Sequence, residues 1–246
     1  MLMAEICSIF NAEDTGDIET SSKTRSERKR APGYKAAEYH LKKMDILSKL
    51  TYTPGTMGMP KIEPVDAENL PERMIAFSKS VSSRDYNQIV HFYEGDRAFA
   101  RIMHNPSKYA EILKRYRFVV SPDFSQHLDM PPCVCLQNSF WNHAFGAYWQ
   151  TLGIKVISNV SWSRPDSYQY AFAGIPKHSV IAINCTAIKG NPVSKYFWMK
   201  GYEAALTTLN PSLILRYGDI MDGEDASRSI YFENENLKRL RNGRKW

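Results

Sequence analysis

No stretch of this sequence approaches the roughly 18 to 20 apolar residues that a membrane-spanning helix needs, so no membrane association is expected. The first twenty residues contain no Lys or Arg and carry Glu5, Glu13, Asp14, Asp17 and Glu19. A secretory signal begins basic and then turns apolar, so none is expected here. Cysteine is scarce: Cys7, Cys133, Cys135 and Cys185 are the whole complement. The spacing of Cys133 and Cys135 fits neither a redox Cys-x-x-Cys nor a zinc finger, and reduced, buried thiols in a cytosolic setting are the expectation. Four common motifs are also missing: Gly-x-x-x-x-Gly-Lys-Ser/Thr, Gly-x-Gly-x-x-Gly, His-Glu-x-x-His and Gly-x-Ser-x-Gly. Their absence weakens phosphate-loop, dinucleotide, zincin and serine-hydrolase readings.

What is present is a chain with 43% hydrophobic and 12% aromatic residues, enough for a sizeable core. The formal charge of +6 is unevenly placed. Residues 23–43 hold eight Lys or Arg against two Glu, and the last ten residues hold Lys238, Arg239, Arg241, Arg244 and Lys245 with no acid. The body between these arms is close to neutral, so the basic character belongs to the arms. Four segments follow from composition. Residues 1–45 read as a charged, largely disordered arm. Residues 46–86, with Pro54, Gly55, Gly58, Pro60, Pro64 and Pro71, read as an extended segment wrapping the body. Residues 87–232 carry regular structure, and 233–246 form a basic tail.

Within 87–232, short apolar runs alternate with helical stretches. Strands are predicted at 89–93, 118–121, 154–160, 179–184, 213–217 and 230–232. Helices are predicted from Asp96, acting as a cap, to 104, from Pro106 to 115, over 131–152, 167–172 and 193–209. The runs show little polar alternation, as in strands covered on both faces. The fold class is therefore α/β with a mainly parallel sheet, either a partial (β/α) barrel, which is slightly favoured, or an open doubly wound sheet.

Sites in such folds lie at the carboxyl ends of the strands. Polar residues gather there: Glu94 and Asp96; Ser121, Asp123, Ser125 and His127; Asn159, Ser161 and Trp162; Asn184 and Thr186; Tyr217, Gly218 and Asp219. Turns and helix caps favour the same small polar types, which is the plainer account of each residue taken alone. Asp96, Asp123 and Asp219 can converge on Mg²⁺ or Mn²⁺, hard cations that favour carboxylate oxygens. His127 beside Asp123 has the residue type of a general base. Ser121, Ser125, Ser161, Trp162, Asn184 and Tyr217 form the expected ligand-binding set, with Trp162 as a stacking wall.

The run Val-Ser-Pro-Asp-Phe-Ser at 120–125 is followed by Gly146-Ala-Tyr-Trp-Gln, Gly153-Ile-Lys-Val-Ile, Val160-Ser-Trp, Gly174-Ile-Pro and Tyr217-Gly218. With Phe92-Tyr93 and Asn105-Pro106, this order resembles an uncharacterised family of phages and bacterial mobile elements, known as a domain of unknown function, over about residues 60–220. The resemblance implies a phage or mobile-element context in a host cytoplasm and brings no catalytic residues. Family members often carry Arg near the position of His143, where this chain departs.

Three functions fit these readings. One is an accessory protein that associates with nucleic acid through Arg28, Lys29, Arg30, Lys238, Arg239, Arg241, Arg244 and Lys245, with a pocket at the strand ends. The second is a metal-assisted hydrolase of a nucleotide or phosphodiester. The third is a protein-binding inhibitor of host machinery, with a host or phage protein as partner.

Overall fold

A computed structural model describes residues 43–234 apart from 67, 187, 189, 219 and 225. Seven strands form one sheet: β1 Met74–Ala76, β2 Ile89–His91, β3 Phe118–Val120, β4 Val156–Asn159, β5 Val180–Asn184, β6 Leu213–Tyr217 and β7 Ser229–Phe232. All neighbouring pairs are parallel, and the strand order follows the chain from β1 to β7. Every crossover therefore steps in the same direction. Right-handed crossovers of this kind put their helices on one face and curl the sheet into a half-barrel. A doubly wound sheet needs a reversal of direction, and none occurs.

From β1 onward the α-helices are α1 Phe77–Ser80, α2 Asp96–Phe99, α3 Arg101–His104, α4 Pro106–Leu113, α5 Pro132–Thr151, α6 Tyr168–Ala171 and α7 Pro192–Leu209. Pro106, Pro132 and Pro192 each open a helix, where a missing N–H leaves no bond unmade. Asn191 caps α7 by accepting from the N–H groups of Val193 and Ser194. Asn210, left-handed at φ 42°, ends it. Among the described residues no helix is long and apolar enough to cross a membrane.

Strand periodicity divides the core. Ile89, Phe118, Val120, Ile157, Ala182 and Leu215 pack together on the concave face, joined by Met74, Tyr217 and Phe232. The alternate positions, such as Val90, Val119 and Val156, join the helices. Trp141, Phe145, Tyr148 and Trp149 of α5 are buried there, as the helical spacing of aromatics predicts. Around β5 and β6, Ile181, Ile183 and Ile214 meet Trp198, Tyr202, Ala205 and Leu209 of α7.

Three local expectations need correction. The sheet begins earlier than the 87 boundary suggests, because β1 lies at 74–76. It is a strand of three residues, too short to show a period. Asp96 does not cap its helix. Gly95 occupies that place without a side-chain bond, and Asp96 is the first helical residue. The helix expected from 96 to 104 is two pieces meeting at Ala100. The breaker-rich segment is pinned to the body. Tyr52 bridges Pro60, the Ile62 N–H donates to the Gly174 carbonyl at 2.9 Å, and the Gln150 amide brackets Glu63 with two 2.8 Å bonds.

Candidate functional site

The carboxyl ends of the strands open onto a cavity of about 420 Å³. Its lining comes from the loops after five strands: Tyr93, Glu94 and Gly95 after β2; Asp123, Ser125, Gln126 and His127 after β3; Val160, Ser161 and Trp162 after β4; Asn184, Thr186 and Ile188 at β5; and Asn234 after β7. Trp198 of α7 completes it.

Asp123 is the centre of the polar network. Its Oδ1 accepts from Asn159 Nδ2 at 2.8 Å and its Oδ2 from Asn184 Nδ2 at 3.4 Å. Burial raises the carboxyl's pKa above the usual value. Hydrogen bonds from Asn159, Asn184 and Ser161 oppose that shift, and the nearby Asp96 carboxylate adds to it. Both asparagine amides are oriented by second contacts. Tyr93 Oη donates to Asn159 Oδ1 at 3.1 Å, and the Thr186 N–H donates to Asn184 Oδ1 at 2.9 Å. Each therefore turns its NH₂ toward Asp123. The plainer reading of Asp123 as a cap does not describe this geometry. The N-cap of α5 is Pro131, and the Asp123 carboxylate accepts from side chains, the Asn159 and Asn184 amides among them.

The loop that carries Asp123 is held from below by α5. Asn142, 2% exposed, accepts from the Phe124 N–H at 2.7 Å and donates to the Phe124 carbonyl at 3.3 Å. Asn138 donates to the Ser125 carbonyl at 2.7 Å. Gly146 lets α5 approach β3, since a Cβ there would lie 2.9 Å from Ser121 Cβ. On the other side, Gln126 Nε2 reaches the carbonyl and hydroxyl of Ser161 at 3.2 and 3.1 Å.

The apolar wall is made by tryptophan. Trp162 packs against Trp198 and Phe172, with ring centroids 5.8 and 6.2 Å away. A side chain at Gly201 would overlap the Trp162 indole, so that glycine gives the ring its seat. Trp198 Nε1 donates to the Asn184 carbonyl at 3.1 Å. The guanidinium of Arg216 lies over its ring, 4.7 Å from the centroid.

Of the residues singled out from sequence, Asp123, Ser125, His127, Ser161, Trp162 and Asn184 line the cavity. His127 is exposed, while Ser125 and Asp123 are partly buried. Ser121 is fully buried, and its Oγ accepts from the Asn159 N–H at 2.8 Å. Tyr217 is buried on the concave face, where its ring meets those of His91 and Tyr93. Asp96 is brought close to Asp123, but its carboxylate accepts from the Ser125 hydroxyl at 2.8 Å and from the Ser125 N–H. Among the described residues no group of three His, Cys, Asp or Glu side chains is placed to hold a metal. Asp219 lies outside the described residues, as do Arg28, Lys29, Arg30, Lys238, Arg239, Arg241, Arg244 and Lys245. Cys135 and Cys185 are buried as expected, whereas Cys133 is exposed.

Sequence reasoning missed Trp198, Gln126, Asn234 and the asparagines of α5. Trp198 carries a usable signal: it lies in the second turn of the helix that follows β5, and that end of the helix faces the site. Asn142 carries no comparable signal, because its partner is a backbone distant in sequence.

The profile of a family described as a domain of unknown function (DUF4417) matches residues 52–234. The chain is similar to the Gene 1 protein of Mycobacterium phage L5, 29% identical over 189 residues, covering 74% of this chain and 81% of that protein. It is also similar to the Gene 1 protein of Mycobacterium phage D29, 29% identical over 138 residues, covering 56% of this chain and about half (51%) of that protein. No solved structure matches it.

Proposed function

The chain belongs to the DUF4417 family, and from that premise we propose that its cavity binds a nucleobase-bearing ligand, with Asp123 accepting hydrogen bonds from the base and Trp162 flanking the ring. One observation carries this reading: Asp123 stands in the cavity lining between two oriented asparagine amides, beside a tryptophan wall. A cavity of about 420 Å³ suits a small polar molecule. Among the described residues no Lys or Arg lines it, while Glu94 and Asp123 do. Such a lining repels a phosphate and favours a neutral group rich in donors. A carboxylate can accept roughly four hydrogen bonds, so Asp123 keeps capacity for a ligand's amino or imino N–H. Bases present such N–H groups on their edges, and a π-face that aromatic side chains stack on.

The test is titration of nucleosides and short oligonucleotides against the intrinsic tryptophan fluorescence of the full chain. Asp123→Asn should weaken binding roughly ten- to hundredfold, from about 1–3 kcal/mol for a good base contact, in a protein that melts within a few degrees of wild type. Equal binding by the variant would remove the assignment.

Two further observations bear on the wider role. The closeness of Asp96 and Asp123 is what supports a metal-assisted hydrolase. Under that reading Mg²⁺ or Mn²⁺ stabilises the wild type and not the Asp123→Asn variant. The basic residues of 23–43 and 238–245 support electrostatic association with nucleic-acid phosphates, as in an accessory protein of a phage.

A further inference from the structure

A second cleft, of about 660 Å³, lies at the opposite, amino end of the strands. It is lined by Tyr86, Asn87, Arg115, Tyr116, Arg117 and Lys155. Arg117 immediately precedes β3 and Lys155 immediately precedes β4, and those strands are neighbours. The register, Val119 opposite Val156, sets Lys155 beside Phe118, one residue beyond Arg117, with its ammonium 5.5 Å from the Phe118 ring centroid, and both cations line the same cleft at the sheet's lower edge. Arg115 joins them from the turn after α4.

All three cations are exposed, and among the described residues none of them is paired with a carboxylate. Asp85, whose charge acts on Tyr116, is already engaged by Arg73 at 2.5 Å. Like charges brought together without counter-charge repel one another, and an anion in the cleft relieves that repulsion. The aromatic side is fixed: Tyr116 donates to the Ser80 carbonyl at 2.7 Å and Tyr86 packs edge-on against it. The body is close to neutral overall, yet its acids Glu94, Asp96 and Asp123 lie at one end of the sheet and this cationic group at the other.

We propose that this cleft binds the phosphodiester backbone of a single-stranded nucleic acid. Guanidinium groups match phosphate oxygens in a two-pronged geometry, and Lys155 adds a point charge. A single phosphate would fill only a fraction of the volume, so successive phosphates of a strand fit it better than one free ion. The proposal goes beyond the cavity reading and stands without it, because it uses none of the same residues.

The experiment measures binding of a fluorescein-labelled single-stranded oligonucleotide to the full chain across a range of salt concentrations. Three proteins are compared: wild type, the triple variant Arg115→Gln, Arg117→Gln, Lys155→Gln, and a tail variant with Lys238, Arg239, Arg241, Arg244 and Lys245 changed to Ala. Loss of three phosphate contacts should reduce the slope of log affinity against log salt by about 2 for a single strand. The triple variant should show that reduction with an unchanged melting temperature, because the replaced side chains are exposed. An unchanged slope overturns the site, as does a binding loss confined to the tail variant. Inorganic phosphate alone is the second probe. If it stabilises the wild type as strongly as the oligonucleotide does, the cleft serves a free anion and the strand assignment fails. Asp123→Asn should retain the full slope, which separates failure of this site from failure of the cavity reading.

Discussion

Two histidines occupy positions where a proton is unwelcome. His91, 1% exposed, accepts from the Tyr93 N–H through Nδ1 at 3.1 Å, and its ring lies 4.3 Å from that of Tyr217. Its proton therefore sits on Nε2, a buried atom with no hydrogen-bond partner. Burial, with a smaller contribution from Lys79, lowers its pKa to about 3. His143 on α5 is 2% exposed, and burial lowers its pKa to about 4 against the opposing carbonyls of Ala171 and Ala173. In the unfolded chain both titrate near 6.5. Below that value the unfolded state binds protons that the folded state refuses, so stability falls as pH drops from 6.5 toward about 4. At full slope each histidine contributes about 1.4 kcal/mol per pH unit. Chemical denaturation at pH 6.5, 5.5 and 4.5 should show this loss. His143→Leu should make the decline distinctly shallower, and an unchanged slope would show that acid sensitivity lies elsewhere.

At the level of the element, β6 carries the costliest side chain in the sheet. Arg216 is 1% exposed within Leu-Ile-Leu-Arg-Tyr and is paired with Glu224, itself buried. It also donates to the Ile183 carbonyl at 3.2 Å, and Tyr231 donates to the other oxygen of Glu224 at 3.3 Å. Removing one partner of a buried pair leaves a charge without compensation, at a cost of about 3–5 kcal/mol. Glu224→Gln should lower the unfolding free energy by that order in chemical denaturation, and replacing Arg216 and Glu224 together by Met and Leu should recover most of it. Because Arg216 stacks on Trp198, the single variant should also alter the tryptophan fluorescence of the cavity. The sequence shows the strand here but not the pair. Arg216 is legible as an anomaly in an apolar run, whereas Glu224 lies in a loop of Asp and Gly where an acid looks ordinary. The same contrast holds across the site. Strand ends were readable because apolar runs stop there, and they led to Asp123, Asn184 and Trp162. The groups that aim those side chains, Asn142, Tyr93 and Gly201, act across distances of 18 to 66 residues or through missing atoms, and local pattern carries neither.

For the whole molecule, the strand sequence β1 to β7 is also the spatial sequence, and this has a consequence for how the chain assembles. Each new strand docks on the edge left by its predecessor, so the loops to be closed are single crossovers and the entropy of each closure is modest. Growth can proceed in the order of synthesis, with no strand waiting for a distant partner to be made. The corollary is a gradient of local opening. β1 has three residues and one neighbour, while β3, β4 and β5 have a neighbour on each side. Amide hydrogen exchange should therefore be slowest in β3 to β5 and fastest in β1 and β7, the outer strands separating in events smaller than global unfolding. Equal protection of β1 and β7 with β4 would mean that the two edges are sealed in solution. With open edges, the half-barrel behaves as a zipper that frays from its ends, and its most durable part is the stretch of sheet from which Asp123 is presented.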